Sequence, residues 1–281
     1  MLEVNRLLLK RIVENALSED VGSGDLTTEI VFNKNEIAVG KFVAKEEGII
    51  AGLPVAEQVF ITLDPWINWR QLVEDGTKVS AGHTIAEING SVQAILSGER
   101  TSLNFLQRLS AIATKTNLFV EKAAKYGVEI LDTRKTTPGL RALEKYAVRV
   151  GGGINHRFGL YDAAMIKDNH IEEAGSIVKA VALLKESLPI TVKIEVEVET
   201  MEQIEEALAC KVDIIMLDNM PYEEMTKAVD MIDGKALVEA SGKINLDTIE
   251  NAAAAGVNYI SVGALTHSIQ SLDISLDLYK P

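Results

Sequence analysis

Four runs rich in β-branched residues begin 22–24 residues apart: ITVKIEVEV (190–198), VDIIMLDN (212–219), ALVEAS (236–241) and NYISVGA (258–264). That interval holds one strand, one helix and two short loops, as a repeating βαβ unit requires. Two earlier runs, VEILDT (128–133) and AAMIKDN (163–169), extend the series to six. Helix signals lie between them. Thr200 precedes Met201, Ile204, Ala207 and Leu208, with Gln203 at capping-box distance. Asn245 or Asp247 can cap the helix before Ala252–Ala255, and Gly256 stands where that helix should stop. Six runs of one polarity predict a parallel sheet. No nucleotide-binding glycine fingerprint is present, which favours an α/β barrel over a doubly wound sheet.

The first hundred residues differ. VGKFVAKEEGIIAGL (39–53) and VEDGTKVSAGHTIAEINGSV (73–92) are glycine-punctuated short strands. The second has the turn-rich pattern of biotinyl and lipoyl carrier modules, but Lys78 lacks the Met neighbour of a modified lysine, so the likeness is one of architecture. The two regions meet near Ser97–Asn104. We expect two intimately packed domains, one over 1–103, rejoined by the tail 269–281, and an α/β barrel over 104–268. Charged residues interrupt the apolar positions of Met1–Leu17, which reads as an amphipathic helix rather than a signal peptide. No uncharged apolar run reaches the roughly 18 residues of a membrane span.

The chain of 281 residues carries 28 Lys and Arg against 41 Asp and Glu, a net charge of −13. This argues against nucleic acid, whose phosphates need a basic surface, and taken alone against any anionic ligand. The total hides an asymmetry. Residues 100–170 hold twelve Lys and Arg against six Asp and Glu, so this segment is +6 and the other 210 residues carry −19. Arg108, Lys115, Lys122 and Lys125 sit at helical spacing and read as a solvated helix face. The cations around 133–168 stand where strands should end and need another explanation. The single cysteine, Cys210, excludes an internal disulfide framework and fits a reducing cytoplasm.

The run ITVKIEVEVET places Lys193, Glu195, Glu197 and Glu199 on one strand face. A half-exposed antiparallel strand would alternate in the same way. In a parallel barrel, however, both faces are ordinarily apolar, and an unpaired buried charge is prohibitive. A charged inner face therefore implies cations or a polar ligand opposite. The other runs agree. Arg134 and Lys135 follow the first, Lys167 and Asp168 end the second, and Asp218 ends the fourth. Ser241 and Gly242 follow the fifth, and Gly263 closes the last. Barrels build their sites from the carboxyl ends of strands. The loop GGGINHR (151–157) offers backbone amides for close approach to an anion, followed by His156 and Arg157. Arg134, Lys135, Arg157 and Lys167 together imply a ligand with several negative charges. Glu197 and Asp218 suggest sugar hydroxyls, a cationic transition state or a divalent metal bridging phosphates. No Cys/His cluster has zinc spacing and no Ser-His-Asp elbow occurs.

These residues fall in DTRKTTPGLR (132–141), GGGINHRFGLYDAAMIKDNHI (151–171), EVEVE (195–199), MLDNM (216–220), EASGKI (239–244) and ISVGALTHS (260–268). With EDVGSGDLTT (19–28) and GERTSLNFLQRLSAIAT (98–114), they cover nearly the whole chain in order. Together they resemble the quinolinate phosphoribosyltransferases, also called decarboxylating nicotinate-nucleotide pyrophosphorylases. The resemblance implies an incomplete seven-stranded α/β barrel joined to an N-terminal open α/β sandwich. It implies transfer of the phosphoribosyl group of phosphoribosyl pyrophosphate to quinolinate, with decarboxylation, giving nicotinate mononucleotide, pyrophosphate and carbon dioxide.

The same resemblance implies residue roles. Arg134, Lys135, His156 and Arg157 bind the quinolinate carboxylates, joined by Arg100 of the partner subunit, and Thr133 is a further substrate-binding residue. Lys167 spans both substrates, and Glu197 and Asp218 hold the ribose hydroxyls and the magnesium-pyrophosphate region. Ser241, Gly242, Lys243, Val262, Gly263 and Ala264 cradle the 5′-phosphate. Lys135, Lys167, Glu197 and Asp218 form the catalytic set. Magnesium is the expected cofactor, with no organic one, and the expected form is a cytoplasmic homodimer or a higher assembly such as a hexamer. One departure is Lys243, where many relatives have glycine or a short polar residue; its side chain is expected in solvent. Two other readings start from these residues: a molybdenum-operon paralogue of the family, disfavoured by the full basic set, and a Schiff-base aldolase with Lys167 as nucleophile. The common phosphoribosyl-pyrophosphate motif ends in paired Asp, and MLDNM has one.

Overall fold

The computed structural model describes residues 4–33 and 35–279. Twelve strands occur among them: β1 (Ile37–Ala44), β2 (Gly48–Ile49), β3 (Asn68–Gln71), β4 (Lys78–Val79), β5 (Thr84–Ser91), β6 (Glu129–Leu131), β7 (Ala164–Ile166), β8 (Ile194–Val198), β9 (Ile214–Asp218), β10 (Leu237–Ser241), β11 (Tyr259–Ser261) and β12 (Ile274–Tyr279). The chain forms two compact units. One comprises Met1–Lys115, Thr137–Gly152 and Ser268–Pro281; the other comprises Thr116–Thr136 and Gly153–His267.

The first unit holds an antiparallel sheet in the order β12-β1-β5-β3 and a separate β2–β4 pair. The C-terminal tail returns to pair with β1 from Val39↔Tyr279 to Ala44↔Ile274. Phe42, Phe60 and Trp69 pack with ring centroids 5.1–5.9 Å apart in its core. Burying an aromatic of this kind stabilises by about 1.5–3 kcal/mol. Lys78 lies in β4, paired with Glu47 at 3.0 Å, and not in an exposed tight turn. The N-terminal helix runs Arg6–Asp20, because Asn5 Oδ1 accepts from the Leu7 and Leu8 amides and sets its start. Met1, Leu2 and Glu3 of the expected helix lie outside the described residues.

Of the four cations expected on a solvated face of the helix Val92–Ala123, Lys122 and Lys125 are exposed as expected, Lys115 is half-buried, and Arg108 is corrected. Arg108 donates to Glu144 Oε1 and to Thr137 Oγ1, each at 2.8 Å, and Glu144 is fully buried. Lys115 donates to the Ser268 carbonyl and Lys122 to the Leu246 carbonyl, each at 2.7 Å. Lys125 lies beyond the helix in the turn Ala124–Tyr126, paired with Glu250. Helical spacing tells which residues share a face but not which distant segment returns to cover it.

The second unit is an incomplete α/β barrel whose parallel sheet has six strands, in the order β6-β11-β10-β9-β8-β7, where seven were expected. Ile154 adds a single parallel bridge to Leu131 of β6. The run at 163–169 is cut short as a strand because the helix Asp168–Ala174 starts on it. Thr200 and Gln203 form the expected reciprocal cap of the helix Met201–Ala209. The helix Ile249–Ala254 is instead preceded by Thr248 at its N-cap; Asn245 Oδ1 accepts from the Asp247 and Thr248 amides, shaping the turn before it. Gly256, at φ 88°, follows that helix as expected. Among the described residues, no helix is long and apolar enough to cross a membrane.

Candidate active site

The carboxyl ends of the parallel strands surround a cavity of about 770 Å³. Every strand contributes to it. Thr133, Arg134 and Lys135 follow β6, Lys167 follows β7, and Glu197 lies in β8. Asp218 ends β9, Ser241 to Lys243 end and follow β10, and Val262 to Ala264 follow β11. His156 and Arg157 reach the cavity from the segment after the Ile154 bridge. All these lining residues belong to the second unit. Arg100 lies on the helix Val92–Ala123 of the first unit, exposed, and is not among them.

Local chemistry holds each group in place. The Lys135 amide donates to Thr133 Oγ1 at 3.0 Å, while the buried Thr266 hydroxyl donates to the Lys135 carbonyl at 2.8 Å. The Lys135 stem passes over Gly263, where a Cβ would lie 3.0 Å from Lys135 Cδ. Lys167 Nζ donates to Glu197 Oε2, tying β7 to β8. Asn219 donates through its side chain to Asp218 Oδ2 at 2.8 Å, and through its backbone to the Ser241 carbonyl at 2.9 Å. Gly242 stands at φ 101° and Lys243 at φ 50°. A left-handed lysine costs about 1–2 kcal/mol that glycine does not incur, the physical reason glycine suits this position. Lys243 is exposed and also lines the cavity.

Electrostatics divide the cavity. Burial, with Arg134 beside it, draws Arg157 below the ordinary guanidinium value. The Arg157 guanidinium donates to the Ala163 carbonyl at 3.0 Å. Lower in the barrel, His156 Nε2 lies 3.0 Å from Glu195 Oε2 and 3.5 Å from Glu239 Oε2. Burial pulls the imidazole pKa down, but the hydrogen bonds to Glu195 and Glu239 outweigh it and push the group up to about 10. Burial also raises Glu195.

Family models described as the N-terminal and C-terminal domains of quinolinate phosphoribosyl transferase match residues 25–110 and 112–277. The chain belongs to the quinolinate phosphoribosyltransferase family. A probable nicotinate-nucleotide pyrophosphorylase of Bacillus subtilis is 46% identical over 275 residues, 98% of this chain and 95% of the relative. The chloroplastic nicotinate-nucleotide pyrophosphorylase of Arabidopsis thaliana is 41% identical over 96% of this chain and 82% of its own length. The crystal structure of NadC from Streptococcus pyogenes superposes with a TM-score of 0.95 at 44% identity, covering 99% of this chain and 98% of that one. The mixed α/β architecture is that of this family.

Within the quinolinate phosphoribosyltransferase frame, every site residue expected from the sequence lines the cavity except Arg100. The glycine triplet is a correction. Gly151 caps the helix Arg141–Val150 and Gly152 turns at φ 91°, so the triplet ends a helix and does not line the cavity. Glu199 is exposed beyond β8, and Lys193 lines a second, smaller cavity of about 320 Å³. Sequence reasoning missed Glu239, Asn219, Met216 and His267, which also line the main cavity. Glu239 was within reach, since Leu237, Glu239 and Ser241 alternate onto one face.

Proposed function

We propose that this cavity is where phosphoribosyl pyrophosphate and quinolinate meet, and that the chain transfers the phosphoribosyl group to the pyridine nitrogen with loss of carbon dioxide. The observation that carries the reading is the convergence of Arg134, Lys135, Arg157 and Lys167 with Glu197 and Asp218 in one cavity. Two substrates bearing carboxylates and phosphates need several cations; a ribosyl carbon gaining positive charge needs carboxylates.

Arg134, Lys135, His156 and Arg157 receive the pyridine dicarboxylate, with Thr133 beside them. Arg100 of the partner subunit completes the site in a homodimer or higher assembly. Ser241 to Lys243 and Val262 to Ala264 take the 5′-phosphate, chiefly through backbone amides. Glu197 and Asp218 hold the ribose hydroxyls and steady the developing positive charge. Lys167, paired with Glu197 at rest, turns toward the departing pyrophosphate and the incoming ring. As the neighbouring carboxylate leaves as carbon dioxide, the pyridinium formed on capture stabilises the electron pair left on the adjacent ring carbon, which then takes a proton from water.

Glu197 and Asp218 also suit magnesium, which takes one or two carboxylates together with substrate phosphates. When bound, the ion neutralises pyrophosphate charge. The single cysteine and acidic surface fit a cytoplasmic enzyme.

The test is release of carbon dioxide and formation of nicotinate mononucleotide from quinolinate and phosphoribosyl pyrophosphate, with nicotinate as control. Equal use of nicotinate, or no turnover of quinolinate, refutes the reading. Borohydride trapping of a Lys167 adduct with a carbonyl substrate would instead support an aldolase.

A further inference from the structure

We propose that Glu195 and Glu239 are positioning residues for the pyridine dicarboxylate: they grip His156 by Nε2, and His156 in turn holds the backbone of Arg157. The proposal rests on the reading of the cavity given above and adds two residues to it. Both carboxylates are almost wholly buried, at 2% and 1% exposure. Each has one oxygen, Oε1, with no hydrogen-bond partner. Neighbouring Val196, Val238 and Ala240 on the same strands are buried and apolar. Two buried acids do not stabilise such a sheet; replacing buried charges by neutral groups of similar shape is often neutral or favourable. Their purpose is therefore to be sought in what they touch.

They touch His156. Its Nε2 faces Glu195 Oε2 at 3.0 Å and Glu239 Oε2 at 3.5 Å. On the other side of the ring, the Arg157 amide donates to Nδ1 at 2.7 Å. That amide favours a lone pair on Nδ1 and works against full protonation of the ring. Nε2–H is the state that both contacts share. The same segment is anchored below: the His156 amide donates to Asp132 Oδ1 at 2.9 Å, and Asn155 Nδ2 to Asp132 Oδ2 at 2.6 Å. Both ring nitrogens are thus engaged within the protein. His156 then serves the substrate mainly by fixing where Arg157 begins, and the Arg157 guanidinium makes the contact. A fixed fork loses less freedom on binding a carboxylate than a loose one.

The experiment uses the full chain with Glu195→Gln, Glu239→Gln and Arg157→Ala, each assayed for KM of both substrates, quinolinate affinity by calorimetry, and thermal midpoint. The Gln variants should raise KM for quinolinate about tenfold or more. KM for phosphoribosyl pyrophosphate should stay within about twofold, and the midpoint should be unchanged or higher. A lowered midpoint with quinolinate affinity intact means a merely structural role and overturns the proposal. If Arg157→Ala weakens quinolinate but neither Gln variant does, only the proposal falls. If Arg157→Ala leaves quinolinate affinity intact, the cavity reading falls and the proposal with it. Should the Gln variants fail to fold, 15N spectra of the wild-type histidines decide: His156 must show Nε2 protonated, and an Nδ1–H neutral tautomer overturns the assignment.

Discussion

A Cβ added to Gly242 would lie 2.4 Å from Asn219 Oδ1 and 2.8 Å from the Asn219 amide nitrogen. The loops after β9 and β10 therefore meet backbone to backbone, and Gly242 at φ 101° is the residue that permits it. Gly242→Ala should lower unfolding free energy by at least about 1–2 kcal/mol. It should also raise KM for phosphoribosyl pyrophosphate about tenfold or more. Denaturant titration and steady-state kinetics read the two effects; a variant as stable and active as the parent removes Gly242 from the phosphate loop.

Lys135 is held at both ends of its backbone, by Thr133 and Thr266. A side chain so placed should contribute to the transition state rather than to folding. Lys135→Ala is expected to cost about 2.7–4 kcal/mol of barrier with little change in thermal midpoint. A loss below about tenfold in kcat/KM would count heavily against its catalytic role.

The His156 pKa, pushed up to about 10 by Glu195 and Glu239 against the pull of burial, lies above the unfolded value of about 6.5. The Arg157 amide donates to Nδ1, however, and a second ring proton would displace it. A ring charged between these limits would make stability fall as pH rises, a contribution fully present below about pH 6.5 and lost as pH climbs through about 10. The neutral Nε2–H ring makes no such contribution, so urea unfolding of the parent and of His156→Gln should run parallel across this window. A steeper decline for the parent would mean that the ring is charged and that the Arg157 amide does not donate to Nδ1.

Asp75 accepts from the Gly52 and Leu53 amides at 2.7 and 3.1 Å and from the Tyr146 hydroxyl at 2.6 Å. Gly52 at the N-cap of the helix Leu53–Leu63 has no side chain to do this. Asp75→Ala strands these donors and should destabilise by about 1–3 kcal/mol. Asp75→Asn, which keeps one acceptor, should lose less. Calorimetric midpoints for the two variants test the order.

Arg100 is exposed and belongs to the other unit from the cavity. If sites are shared between subunits, mixing inactive Arg100→Ala with inactive Lys167→Ala should restore part of the activity. No recovery after mixing and subunit exchange would assign Arg100 to its own chain or to no site.

Much of this protein was legible in its residues. The 22–24-residue spacing of the β-rich runs determined the parallel sheet, because period and length are local properties of the chain. The polar residues at the strand ends determined one wall of the cavity for the same reason: once strands lie parallel, their carboxyl ends coincide. The alternating charges of β8 required partners, and Lys167 and His156 are those partners. What no local pattern contains is which distant segments meet. The glycine triplet looked like an anion cradle and ends a helix. Arg108 looked solvated and is closed over by Glu144. Glu195, His156 and Glu239 come from three separate segments, and only the folded sheet brings two buried carboxylates onto one imidazole. The net charge of −13 told of the surface, whereas the folded sheet gathered the cations into one cavity.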